Sequence, residues 1–189
     1  TWQFYVNGFR RSGEAWALHQ HAFGGQCGRP GADGLAAVSF PYNVRNVSVE
    51  WSETETPVLF ERRELIPDSG GAGRFRGGLG EELAFRIEGV ADSDPERALT
   101  LSGSAGRMRY PAIGARGGKA GSLGWIAVND QPITPSSAPE VTFRSGDLVR
   151  LRVPGGGGHG AAGERSREAI EADLRDGYVT AEGAARDYG

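Results

Sequence analysis

Val141-Thr142-Phe143-Arg144-Ser145-Gly146-Asp147-Leu148-Val149-Arg150-Leu151-Arg152-Val153-Pro154-Gly155-Gly156-Gly157-Gly158-His159-Gly160 is the stretch where the chain changes character. Up to Val153 the apolar period is two: Val149, Leu151 and Val153 face one way, Arg150 and Arg152 the other. Val141–Arg144 and Leu148–Val153 flank Ser145-Gly146-Asp147 and read as a hairpin, with Asp147 a turn residue. Beyond the glycines the period becomes helical. Ala169, Ile170, Asp173 and Leu174 recur at helical spacing within Glu164–Arg175, and Gly177 is a natural stop. Thr180 then caps a second helix to about Asp187, with Glu182 favourable in its first turn. Strands followed by two short terminal helices predict a β-rich α+β fold, sandwich- or barrel-like, with antiparallel strands and glycine-rich loops.

Upstream of this stretch the strand pattern repeats. Trp2–Val6 is short and aromatic, and Trp16–Phe23 alternates with Trp16, Leu18, Gln20 and Ala22 on one face. Val44–Trp51, Pro57–Arg62, Glu82–Glu88, Leu99–Leu101 and Trp125–Val128 are the further strand candidates. In Glu82–Glu88, Leu83, Phe85 and Ile87 alternate with Ala84, Arg86 and Glu88. No internal repeat or long linker divides the chain. The expectation is a single region over 1–189: β-rich over 1–153, a glycine-rich loop over 154–160, and helices at about 164–176 and 181–187.

Composition bounds the function. Of 189 residues 38% are hydrophobic and 24% charged, enough apolar material for a core and no run long enough to span a membrane. The net charge of −3 argues against a general nucleic-acid binder. Cys27 is the lone cysteine, so no internal disulfide forms, and a reducing cytoplasm is the expected setting. All cationic side chains but Lys119 are arginines, the better planar clamps for phosphate or carboxylate. A free Thr1 has the makings of a self-activated nucleophile, but the reading preferred is a piece of a longer chain.

The outlying number is glycine, 31 residues in clusters without a three-residue period, which excludes collagen. Four stretches hold most of them: Gly24–Gly34, Asp68–Gly80, Gly114–Gly121 and Pro154–Gly160. Known phosphate motifs fail on spacing. Gly117-Gly118-Lys119 is followed by Ala120, which lacks the hydroxyl for magnesium, and position 113 is Ile. Gly71-Ala72-Gly73 finds its next glycine at 77, one residue late for a dinucleotide fingerprint. The fourth stretch has two readings: bare amides leading into a helix and forming an anion site, or a backbone crossing closely under another element.

Glu64-Leu65-Ile66-Pro67-Asp68-Ser69-Gly70-Gly71-Ala72-Gly73-Arg74-Phe75-Arg76-Gly77-Gly78-Leu79-Gly80 resembles the signature of the hydantoinase B/oxoprolinase family. Other marks agree in order: Gly24-Gly25 with Asp33-Gly34, Pro57 with Glu61, Gly114 with Gly117-Gly118, Gly146-Asp147, Pro154 through Gly158, and Tyr188-Gly189. The likeness covers nearly the whole chain and corresponds to the C-terminal third or so of a family member. It implies a component of an ATP-dependent amidohydrolase that opens a cyclic amide (hydantoin, 5-oxoproline or lactam) through a phosphorylated intermediate. An A-type subunit supplies ATP and magnesium, and the rest of the B-type region supplies a divalent metal upstream of this sequence. Relatives that carboxylate ketones give a second reading, a non-catalytic assembly module a third. The chain alone is expected to be inactive, and to expose apolar surface where its missing portion docks.

Several residues stand out against that background. Arg74 and Arg76 alternate around Phe75 and share a face of an extended segment; they either clamp a phosphorylated intermediate or carboxylate, or pair with neighbours such as Glu81 or Glu82. Asp68, Ser69, Gly70 and Gly71 are candidates for binding substrate or phosphate, or else form a structural turn whose amides Asp68 and Ser69 accept. Gly155, Gly156, Gly157 and Gly158 are the phosphate-cradle candidates. His159 stands where the family more often has an aromatic, and is either a general acid/base or ligand, or a packed plug. His19 and His21 lie on one side of a strand and can hold zinc if Cys27, Asp33 or His159 joins them.

Overall fold

A computed structural model describes residues 1–40, 42–90 and 98–189. Among the described residues nine strands form two wholly antiparallel sheets. The first has the order β2-β1-β5-β8: β2 (Ala15–Ala22), β1 (Trp2–Phe9), β5 (Leu99–Ser104) and β8 (Glu140–Phe143). The second has the order β3-β4-β9-β6-β7: β3 (Val58–Leu65), β4 (Glu81–Ile87), β9 (Val149–Arg152), β6 (Trp125–Val128) and β7 (Gln131–Pro132). Neither closes into a barrel, so the sandwich alternative is the one realised.

Alternation explains the core. Phe4, Val6, Trp16, Leu18, Leu99 and Leu101 of the first sheet meet Leu83, Phe85, Ile87, Ile126, Val149 and Leu151 of the second in one buried cluster. The Phe4 and Phe85 rings stack across it at 6.3 Å. Each fully buried side chain of this size contributes roughly 1.5–3 kcal/mol relative to exposure. Gln20 shares the buried face of β2 as its register requires, and its amide donates to Ser52 Oγ at 2.6 Å. The β4 strand, flanked on both sides, is buried on both faces. On its outer face Glu82 accepts from Arg150 (2.7 Å) and Arg152 (2.6 Å), whose guanidinium groups flank the Trp125 ring.

Three expectations are corrected. Val141–Arg144 and Leu148–Val153 do not pair: β8 is in the first sheet and β9 in the second. The Ser145-Gly146-Asp147 turn carries the chain from one layer to the other, with Asp147 Oδ2 accepting the Arg144 amide at 2.8 Å. Both strands bury one face in the same core, and alternation is silent about which sheet a strand joins. Val44–Trp51 is not a strand. Its second half opens α1 (Val49–Glu55), because Ser48 Oγ accepts the Trp51 amide at 3.1 Å and caps a helix. The glycine run does not lead straight into a helix either. A 3₁₀ turn (Ala162–Glu164) intervenes, and α2 (Arg167–Arg175) starts behind its own cap, Ser166. Gly177, at φ +74°, ends that element, and Thr180 caps α3 (Ala181–Tyr188) as its sequence predicts. Among the described residues no helix is long and apolar enough to cross a membrane.

Candidate functional site

The four glycine stretches converge beside the sandwich. Pro154–Gly158 runs through their middle, fully buried although it contains almost no side chain. Its hydrogen bonds go in several directions, unlike those of a sheet. The Gly156 amide donates to Gly78 O (2.9 Å) and Gly158 to Lys119 O (2.9 Å). In return Gly71 donates to Gly156 O, Gly28 to Gly157 O (both 2.8 Å), and Ala115 to Gly158 O (2.9 Å). One central strand of main chain thus touches all three other stretches. A Cβ on Gly156 would collide with the Gln26 carbonyl, and one on Gly158 with that of Ala72. The logic is that of a crowded axis where only hydrogen fits. The segments pair most of these buried peptide groups with one another, as burial demands.

This geometry bears on the two readings of Gly155–Gly158. Gly155 N donates to Ser122 Oγ at 3.1 Å, and the Gly156 and Gly158 amides are engaged as above. Amides already bound to the protein's own oxygens do not cradle a phosphate, which leaves Gly157 N alone of the four without such a partner among the described residues, and no helix follows directly. Gly71 N is bound to Gly156 O, and Gly70 faces the Gly77 carbonyl at a distance no side chain tolerates. Ser69 Oγ donates to Ile66 O (2.6 Å) and accepts from Gly80 N (3.0 Å). The Asp68 carboxylate reaches across to α3, accepting from Thr180 N (3.0 Å) and Thr180 Oγ1 (2.6 Å). These residues hold the bundle together.

The segment from Ala162 onward is fastened to the bundle by charge. Arg165 makes a fork with both Asp33 oxygens at 2.8 Å and reaches Asp173 Oδ2 at 2.6 Å. Arg76 Nε approaches the same Asp173 oxygen at 3.2 Å, and Lys119 Nζ lies 2.9 Å from Asp187. Burial works to raise the Asp33 carboxyl, but the Arg165 hydrogen bond and charge, with the Arg76 amide, hold it below the usual carboxylate value. Burial opposes the Arg165 charge too, yet Asp33 and Asp173 lift its pKa above that of an ordinary arginine. Arg76 is therefore an internal anchor, and its partner is Asp173, where the ion-pair reading named Glu81 or Glu82. Arg74 is exposed, with its guanidinium 3.8 Å from Glu164.

One cleft of about 490 Å³ opens at the rim of the bundle, lined by Arg74, Phe75, Arg116, His159, Glu164 and the Pro30 turn. Main-chain bonds in both directions, each 2.9 Å, lock His159 to Phe75, and the two rings tilt together at 6.2 Å. The Arg74 guanidinium lies 5.6 Å from the centre of the Phe75 ring. Arg116, in the left-handed region at φ 49°, has no hydrogen bond or ion pair among the described residues. It was missed in the sequence because Lys119 drew the motif test. Asp173 was visible there as a carboxylate on an apolar helix face, which called for a buried partner. On β2, His19 stacks on Tyr5 of β1 at 4.4 Å and His21 tilts against His19 at 4.8 Å, but no third metal-holding group joins them among the described residues.

A sandwich built beside a glycine bundle defines a class, and residues 1–162 match the hydantoinase B/oxoprolinase family: the chain belongs to it. Its relatives include a Pseudomonas sp. (strain NS671) chain whose name gives it as the B component of a D-/L-hydantoinase, 31% identical over 182 residues, covering 92% of this chain and 29% of that one. The beta chain of the caprolactamase of Pseudomonas jessenii is 34% identical over 148 residues, covering 75% of this chain and 24% of the relative. The solved ATP-dependent caprolactamase of the same organism superposes on the whole chain with a TM-score of 0.77 at 25% identity, covering 34% of its own length. Acetone carboxylase shares the fold, with a TM-score of 0.74 at 20% identity, covering all of this chain and 29% of that one. The chain thus spans about a quarter to a third of the length of each of these four proteins.

Proposed function

We propose that the chain is a component of an ATP-dependent amidohydrolase that opens a cyclic amide of hydantoin, 5-oxoproline or lactam type. It acts together with an ATP-binding A-type subunit and the remaining part of the B-type region. The observation that carries this reading is the 31% identity to a hydantoinase B component sustained over 92% of the chain. Chemistry supports it. An unstrained amide is a poor electrophile, and phosphorylating its oxygen makes that oxygen a leaving group. In this reading ATP is bound by the A-type subunit. The described residues offer no group of three metal-holding side chains, so the family's divalent metal does not fit here and no step is assigned to it. The chain's contribution is a rigid wall: a bundle of main chain whose rim carries the His159 cleft.

Ketone carboxylation on the same scaffold is the second reading, favoured by a 27% identical relative named as the delta chain of acetophenone carboxylase, from Aromatoleum aromaticum. The chain, co-purified with its partners, is expected to show ATP consumption that depends on a cyclic amide and is indifferent to bicarbonate. Consumption requiring bicarbonate and a ketone would establish the carboxylase instead. A third outcome favours an assembly module: turnover untouched by Arg74→Ala with His159→Ala, but assembly abolished without the chain.

A further inference from the structure

We propose that the His159 cleft is a binding site for a small organic oxyanion, a carboxylate or phosphoryl group borne on an apolar body. The inference deepens the reading above by naming the ligand chemistry of one wall, and it rests on that reading only for the ligand's biological source.

The argument starts from the histidine. Nδ1 of His159 is buried and has no hydrogen-bond partner. A buried donor without an acceptor costs more than a buried lone pair without a donor, and orphaned N–H groups are the rarer of the two. The proton of the neutral ring therefore sits on Nε2. Nε2 has no protein partner and is not among the buried unpaired atoms, so its N–H opens to the cleft the ring lines. Arg116 lines the same space, with no other group engaging its five donors. Arg74 is held loosely: its 3.8 Å approach to Glu164 is an ion pair between two largely exposed side chains, which contributes little. The cleft thus presents two guanidinium groups and an imidazole N–H, opposed by a single carboxylate. Phe75 and Pro30 supply an apolar floor and side.

Rigidity makes this more than a patch of surface charge. His159 and Phe75 are locked to each other through both peptide groups, and Gly160 at φ +77° returns its amide to Ala115 O at 3.0 Å. The backbone of residues 115–116 and 159–160 is therefore set by the bundle, and the imidazole with it. The histidine donor loses little conformational entropy when an anion arrives, and the anion orders the two guanidinium groups around it. Planar guanidinium groups suit carboxylate and phosphoryl oxygens alike.

The test reads occupancy and needs no turnover. In the assembled protein, benzoate, inorganic phosphate and neutral benzamide are titrated at fixed ionic strength. Binding is followed by isothermal titration calorimetry. Benzoate or phosphate is expected to bind saturably and benzamide not to bind. Arg116→Gln and Arg74→Gln should each raise the dissociation constant at least tenfold, and His159→Phe, which keeps an aromatic plug but lacks the ring N–H, should weaken binding too, while Arg167→Gln, exposed on α2, should not change it. Tighter binding of benzoate assigns the carboxylate source, and tighter binding of phosphate the phosphoryl one. The proposal is overturned if neither anion binds, if the Arg74→Gln/Arg116→Gln double variant binds as tightly as the parent, or if His159→Phe does. None of these results depends on ring opening, so the amidohydrolase reading stands or falls separately.

Discussion

Gly156 shows what a single hydrogen atom in place of a side chain accomplishes here. Its amide donates to Gly78 O, its carbonyl accepts from Gly71, and its pro-side-chain position abuts Gln26 O. Alanine there has no relaxation open to it, because the colliding atom is main chain bonded elsewhere: Gln26 O already accepts from Gly78 N at 2.7 Å. Gly156→Ala should therefore destabilise the protein by about 3 kcal/mol or more, the range for overpacking and broken buried hydrogen bonds. Gly163→Ala, in the 3₁₀ turn where a Cβ meets nothing, should stay within about 0.5 kcal/mol of the parent. Denaturant unfolding of the two variants checks both, and equal stabilities would mean the bundle is looser than described. The clustering of glycines announced in the sequence that main chain approaches something closely. It did not announce what. Four stretches up to about 130 residues apart meet each other, and no local pattern encodes such a meeting. The same gap left both readings of Gly155–Gly158 open.

At the scale of elements, each strand's face was legible and its neighbour was not. Val149, Leu151 and Val153 turn inward as alternation demands, yet β9 lies between β4 and β6, not beside β8. Period two selects a face, and pairing is decided by which turn crosses between layers. The terminal helices were legible through their caps, Ser166 excepted, but not what fastens them. Asp173 and Arg165 lie eight residues apart on the segment that follows the bundle, and they close a charge network with Asp33 and Arg76 of the bundle. Arg165 is nearly inaccessible, so Arg165→Ala leaves Asp173 buried beside a lone Arg76 and should cost about 3 kcal/mol or more. The network also fixes a direction with pH. Because the folded state holds the Asp33 carboxyl below its ordinary value, the stabilisation is complete above that unfolded value, near 4. It is lost as pH falls from there through the depressed folded one. Hydrogen exchange in α2 and α3 should accelerate, relative to β4, only below about pH 4, and this acid response should weaken in Asp33→Asn, with a remainder in α3 from Asp187, which hydrogen bonds from Arg186 and Lys119 also hold below its ordinary value. An acceleration beginning near neutrality would point to a different titrating group.

At the scale of the molecule, the surface is incomplete in a particular place. Tyr110 and Ile113 are 80% and 82% exposed, and Phe40 is 70% exposed. The Ile113 carbonyl meanwhile braces the glycine bundle, being the atom a Cβ on Gly157 would strike. A residue whose backbone is fixed by the bundle and whose side chain stands in water has no reason to be isoleucine in this chain alone. The chain spans 29% of its hydantoinase relative, so a large body of protein in that relative has surface to place against it. Taken alone, the 189-residue chain should therefore self-associate with rising concentration, as exposed apolar groups do. Tyr110→Ser with Ile113→Ser should return it to a monomer without lowering its melting temperature, because neither side chain contributes to the buried core. Sedimentation at several concentrations, paired with calorimetry, separates the two effects. A sharp, concentration-independent monomer melt of the unmodified chain would mean that these side chains are tolerated in water, and that any partner engages the bundle elsewhere. A double variant that is monomeric but unstable would place them in a core that the sandwich and bundle do not contain.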